Sequence, residues 1–153
     1  MNEPDTGLAL TLHQPWASAI IEGPKRIENR DWPPPPSIIG RRLWIHAGKT
    51  YDDENHAAIA ELWPGLLDRD SGSVPMSAIL GSVVVVGAVH EGGRFLGRLS
   101  GSTEALIDND WFAGPYGWVL SDVKAIRPVP CRGHQKIWTV PTEILVECRR
   151  LSL

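Results

Sequence analysis

The stretch Leu12–Trp32, LHQPWASAIIEGPKRIENRDW, contains a strand end, a short helix and the start of a second strand. The alternation of Leu8–Leu12, "LALTL", has the period of a half-buried strand. Pro15 stands where a helix tolerates it best, at the first position, because the N–H it lacks would have no helical partner there. Trp16, Ala19, Ile20 and Gly23 then share one helical face, and Gly23-Pro24 stops the helix. From Lys25 the pattern is extended. Period two puts Arg26, Glu28, Arg30 and Trp32 on one face and Lys25, Ile27, Asn29 and Asp31 on the other. Two tryptophans and a row of charges therefore surround one short helix.

Further along, Pro33–Pro36 predict a stiff extended linker. "RRLWIHAGK" from Arg41 reads as a strand with Leu43, Ile45 and Ala47 on one side and Trp44 and His46 on the other. "DDENHAAIAELW" predicts a helix with acids in its first turn, and the segment from Pro64 to Ser77 predicts a loop. "AILGSVVVVGAVHEG" is β-branched and continuous, the mark of a strand buried on both faces. "TEALIDNDWFAGP" divides between helix and loop, "YGWVLSDVKAI" and "HQKIWTV" read as strands, and "PTEILVECRRL" predicts a closing helix with Ile144, Leu145, Cys148 and Leu151 at helical spacing. About six strands and two to four helices without βαβ alternation predict the α+β class: a small mixed β-barrel of five to six strands with flanking short helices.

The chain has 153 residues, the length of one domain spanning 1–153. Its 42% hydrophobic content excludes a disordered chain, and its longest apolar run is far short of the ~20 residues of a membrane helix. The opening "MNEPDTG" is acidic and polar, unlike a secretion signal, so a cytoplasmic location is expected, with no membrane partner. Cys131 and Cys148 have no metal-ligand spacing, and no motif for a cofactor, phosphate loop or zinc hydrolase is present. Net charge is −3, but it is unevenly spread. Glu22–Lys49 holds six bases and three acids, and Val123–Arg150 six bases and two acids. Tyr51–Asp70 holds six acids and one base. If the two basic segments meet in space they form a positive face.

Gln14-Pro15-Trp16-Ala17, followed by Gly23, Lys25, Glu28, Arg30 and Trp32, resembles the signature of the ASCH domain family within the PUA-like superfamily. "RRLWIHAGK", "ILGSVVVVGAV" and the segment from "GPYGWVLSDVKAI" to "HQKIW" resemble later stretches of that family in the same order. The resemblance implies a PUA-like barrel with a cleft between barrel and helices, used on RNA, nucleotides or modified bases. Family members look to include RNA- or DNA-binding modules, a ribonuclease and amidohydrolases that remove acyl groups from N4 of cytidine. In this chain Lys25 fills the lysine position of those amidohydrolases, whereas Glu28 stands where they carry a threonine.

Two functions follow as expectations. In the first, the domain binds RNA or a modified nucleoside or nucleotide, with DNA a further candidate ligand. Lys25 meets a phosphate from the mouth of the cleft, and Glu28 and Arg30, ~6.6 Å apart along one face, read the edge of a base. Trp32, Tyr116 and Trp118, with Trp111 in the adjacent loop, are candidate stacking platforms. Gln14, Trp16, His46 and Ser121 complete the candidate ligand-binding set. His13 caps the first helix or faces the ligand, and Asp122 joins Ser121 at a turn or in the cleft. In the second, the protein is a metal-independent hydrolase, an amidohydrolase or ribonuclease, with Lys25 activating the nucleophile and Glu28 moving protons. The missing threonine favours binding. A third reading, docking of a protein through the acidic helix, stands beside them.

Overall fold

The computed structural model describes residues 5–97 and 103–153; the acidic lead at 1–4 lies outside the described residues. Its strands are β1 (Asp5–Gln14), β2 (Ile27–Arg30), β3 (Arg41–Tyr51), β4 (Ala78–His90), β5 (Phe95–Gly97), β6 (Tyr116–Pro130) and β7 (Ile137–Thr139). The helices are α1 (Trp16–Ile21), α2 (His56–Leu62), α3 (Thr103–Ile107) and α4 (Thr142–Leu151). The strands form one curved sheet in the order β2-β6-β4-β3-β1-β7, with β5 added to β4 beyond the end of β3. The β1–β3 pair is parallel and every other pair is antiparallel. The result is a half-barrel of seven strands rather than five or six. The additional strand, β5, is three residues long and carries no readable period.

Alternation along the strands separates two cores. Leu10 and Leu12 of β1, Leu43, Ile45 and Ala47 of β3, and Trp118 and Leu120 of β6 line the concave interior, where Ala17, Ile20 and Ile21 of α1 also pack. Ala9, Trp44, Ile79, Val129 and Trp138 face the convex side, which α4 covers with Cys148. The face predicted for α4 is the face it buries, and Pro141 precedes its first turn. A third cluster joins Ala19 of α1, Ile27 of β2, Ile59 of α2 and Trp111. β4 is buried along almost its whole length, as its unbroken β-branched run predicts.

Two local expectations change. α2 starts at His56, so Asp52, Asp53 and Glu54 precede it and none lies in its first turn. Asp52 instead accepts from the Asn55 backbone and side chain in a turn before the helix. The Pro33–Pro36 run is not extended throughout, because Pro36 opens a 3-10 turn, Pro36–Ile38, that buries Ile38 in the interior.

Candidate functional site

The two ends of the sheet approach each other without pairing. β7 pairs with β1 only from Leu8 to Leu10, so the edge of β1 is free of β7 from Thr11 onward. Across this seam stands β2, whose Glu28 and Arg30 are registered against Trp118 and Tyr116 of β6. Cross-strand partners share a face, so Glu28 and Arg30 point into the concave interior. Arg30 Nη2 donates to the Thr11 carbonyl across the seam, in a long bond of 3.4 Å.

Three charges form a row beneath that contact. Lys25 Nζ lies 3.0 Å from Glu28 Oε1 and also donates to the Ile27 carbonyl. Glu28 Oε2 lies 3.3 Å from Arg30 Nε. The second approach has ion-pair distance without hydrogen-bond alignment, and Arg30 Nε is a buried donor with no acceptor. Exposure rises along the row, from 1% for the Lys25 side chain to 9% for Glu28 and 23% for Arg30, so Arg30 is the member nearest solvent. Two cations against one carboxylate leave a net positive charge at the seam.

These positions correct the expectation for Lys25. Period two fails there because Gly23 and Pro24 form a bend and the chain enters β2 only at Ile27. Lys25 therefore turns inward beside Glu28, over the Trp16 ring at 5.6 Å, and is sealed from solvent rather than placed at the cleft mouth. Arg26 secures the bend, its Nη1 donating to the carbonyls of Ile20, Gly23 and Lys25 at the end of α1.

The aromatic candidates divide. Trp118 is fully buried, edge-on to Trp32 with ring centroids 4.9 Å apart, and its Nε1 donates to the Trp32 carbonyl; it is core and offers no stacking face. Trp111 is also buried, meeting Trp16 edge-on at 6.5 Å, while Asn29 accepts from the Ala113 and Gly114 amides and donates to the Trp111 carbonyl. Trp32, Trp16 and Tyr116 are half-buried, and all three border the interior cluster that the row of charges faces. Trp16 Nε1 donates to Asp52 Oδ2 at 2.8 Å. Burial pushes the Asp52 carboxyl up, but hydrogen bonds from Asn55 and Trp16 and the nearby His13 hold it below its ordinary range. His13 itself is exposed.

Three candidates lie away from the row. Gln14 is a closed clamp: its Nε2 donates to Ser18 Oγ and the Pro75 carbonyl, and its Oε1 accepts from the Ser18 amide. His46 points to the convex side, because β3 alternates Ile45 inward and His46 outward. Its Nε2 meets the Cys131 carbonyl at 2.7 Å and so must donate, which makes Nδ1 the acceptor of the Thr11 hydroxyl at 3.1 Å. Thr11 Oγ1 accepts in turn from Trp138 Nε1. Burial lowers the His46 pKa, the Cys131 carbonyl opposes this, and His134 adds to it. Ser121 is registered against Val84, one residue from inward-facing Leu120, and so lies on the convex side. The adjacent Asp122 accepts from Arg42, which also donates to Ser82 Oγ.

The basic segments meet only in part. Of their twelve cations, Lys25, Arg26, Arg30, Arg41, Arg42, Arg149 and Arg150 are held by partners within the protein. Lys49, Arg127, Arg132 and Lys136 are exposed. Lys136 follows the Leu10–Ile137 pair by one register step, level with Thr11, and its φ of 59° ends the pairing there. The turn before it is pressed against the sheet at Gly133, where a Cβ would come within 2.4 Å of the His46 ring. Sequence reading counted Lys136 in a basic segment but gave no sign that it stands level with Thr11 where the β1–β7 pairing ends.

Among the described residues no group of three or more His, Cys, Asp or Glu is placed to hold a metal, and no helix is long and apolar enough to cross a membrane.

The chain is 32% identical over 144 residues to activating signal cointegrator 1 of Mus musculus and 26% identical over 145 residues to that of Homo sapiens. Each alignment covers 92% of this chain but 23% of the relative, so the chain spans less than a quarter of the length of those proteins. In fold it is similar to the crystal structure of ASCH from Zymomonas mobilis, with a TM-score of 0.53 at 19% identity over 95% of each chain. A point mutant of the same protein gives a TM-score of 0.53 at 20% identity, over 98% of this chain and 99% of that one. The family model of the ASCH domain matches residues 10–99, more than half of the chain, and the protein belongs to the ASCH domain family.

Proposed function

We propose that residues 1–153 act as one nucleic-acid-binding domain that takes a base of single-stranded RNA, or a modified nucleotide, into the seam between β1 and β2. The observation that carries this reading is the state of Arg30, a part-exposed side chain whose guanidinium has one buried donor unpaired and one long hydrogen bond. A buried N–H without an acceptor costs about 1–3 kcal/mol, and a shift of the Arg30 side chain that brings it to a ligand carbonyl or phosphate oxygen relieves that cost. Glu28 supplies the complementary acceptor for an exocyclic amine, and the net positive charge of the row favours an acceptor-rich ligand. Half-buried Trp32 and Tyr116 offer ring surface beside it, and exposed Lys136 and Arg132 attract the phosphate backbone.

Burial of Lys25 favours binding over hydrolysis. A lysine that activates a nucleophile must reach the reacting atoms, whereas this ammonium is sealed under Trp16 and occupied by Glu28 and the Ile27 carbonyl. Its role here is to fix the Glu28 carboxylate.

Fluorescence anisotropy with a short labelled single-stranded RNA, measured across a salt series, tests the reading. Affinity is expected to fall steeply with salt and to drop about tenfold or more in Arg30→Ala, while Lys136→Ala reduces the salt slope by about one. Salt-independent affinity, or an Arg30→Ala variant that binds as the wild type does, overturns it.

A further inference from the structure

A cavity of about 470 Å³ lies apart from the seam and shares none of its residues. One wall is α1 with the turn that follows it, and the opposite wall is the segment that follows α2. Glu22, Trp63, Leu66 and Pro75 stand around the space, and Leu80 of β4 and Ile126 of β6 complete its lining. Trp63 is brought there by Gly23, where a Cβ would meet the indole ring at 2.8 Å; only the missing side chain lets the ring lie against the helix end. The volume and the apolar lining are those of a small-molecule site.

Charge specifies the occupant. Glu22 is the single charged residue in the lining; it is exposed, and no partner for its carboxylate exists among the described residues. The segment between Leu67 and Ser73 adds exposed Asp68 and Asp70, while its one cation, Arg69, is turned away to Asp53 and lies over the Tyr51 ring at 5.2 Å. The lining offers an anion one carboxylate and no cation, so a nucleic-acid backbone is disfavoured. A flat ring carrying an ammonium fits both features: the ring buries against Trp63, Leu66 and Pro75, and the ammonium is placed for Glu22 and the face of Trp63.

We infer that this cavity is a second binding site, selective for a small aromatic amine and independent of the seam. Three probes of one shape and different charge test it: tryptamine, indole and indole-3-acetate, titrated by calorimetry and by amide chemical-shift mapping. Tryptamine is expected to bind about tenfold more tightly than indole, indole-3-acetate more weakly than either, and shifts to centre on Ser18, Leu66 and Leu80. Glu22→Gln, an exposed substitution that leaves the core intact, should bring tryptamine down to the affinity of indole, and saturating single-stranded RNA should displace neither. Absence of saturable tryptamine binding, a series blind to charge, an unaffected Glu22→Gln variant or displacement by RNA each overturns the inference. A capped peptide with tryptophan beside lysine tests the rival occupant. If it binds more tightly than tryptamine, the surface belongs to a protein partner and the small-amine reading fails.

Discussion

Two polar networks lie back to back on β1, and they differ in one respect. On the convex side, Trp138 donates to Thr11, Thr11 to His46, and His46 to the Cys131 carbonyl, so each of these polar atoms has a partner. On the concave side, the row from Lys25 through Glu28 ends in an arginine with a buried donor unpaired and a weak bond to the Thr11 carbonyl. A closed network fixes a fold; an open one beside solvent keeps a donor available for a ligand. The histidine, a member of the candidate ligand-binding set in the sequence, belongs to the closed network.

Removing Lys25 should produce the largest effect on this contrast. Lys25→Ala leaves Glu28, 7% exposed, with only the poorly aligned Arg30 as counter-charge. Breaking a buried pair from one side costs about 3–5 kcal/mol. Urea denaturation should show a loss of that order, with its midpoint moved and its slope unchanged. A loss under about 1 kcal/mol would mean that the ammonium is not needed to hold the carboxylate, and would reopen a catalytic role for it. Turnover of N4-acetylcytidine by the wild type would have the same consequence, and none is expected.

Cutting the closed network should cost less and leave binding alone. Thr11→Val removes the acceptor of Trp138 Nε1 and the donor to His46 Nδ1 while keeping the Thr11 carbonyl that Arg30 reaches. The expected loss is about 1–3 kcal/mol of stability, with RNA affinity changed by less than twofold in anisotropy. Lost affinity at unchanged stability would join the two faces of β1 into one site.

The sequence made one half of this comparison legible and concealed the other. Alternation placed Glu28 with Arg30, and Leu43, Ile45 and Ala47 opposite Trp44 and His46, because period two holds wherever a strand is regular. It failed at Lys25, where a bend precedes the strand. At Trp118 the face was right and the role was not, since a tryptophan suits core and stacking site alike and this one is fully buried. The Arg30–Thr11 contact joins residues 19 apart across a seam that only the sheet order creates, and no local pattern encodes it. The approach of Gly133 to His46 is invisible for the same reason, since 87 residues separate the two and the glycine is informative only once the β1–β7 pair exists.

The smallest effect separates the networks by pH. Burial lowers the His46 pKa in the folded protein, so below its ordinary value of about 6.5 the unfolded chain binds the proton more readily. Stability from this group is therefore complete above about pH 6.5 and declines as pH falls from there toward the lowered folded value. Asp52, held below its ordinary carboxyl range, acts later, its contribution being lost only on further acidification through its own folded pKa. Chemical denaturation at about pH 7.5 and about pH 5.5 isolates the histidine, and His46→Gln should flatten the difference between the two. Over the same interval the row from Lys25 to Arg30 contains no imidazole, so the affinity lost in Arg30→Ala should be the same at both pH values. If that loss changes while stability does not, the proton that matters belongs to the seam, and the closed network is not the pH-sensitive one.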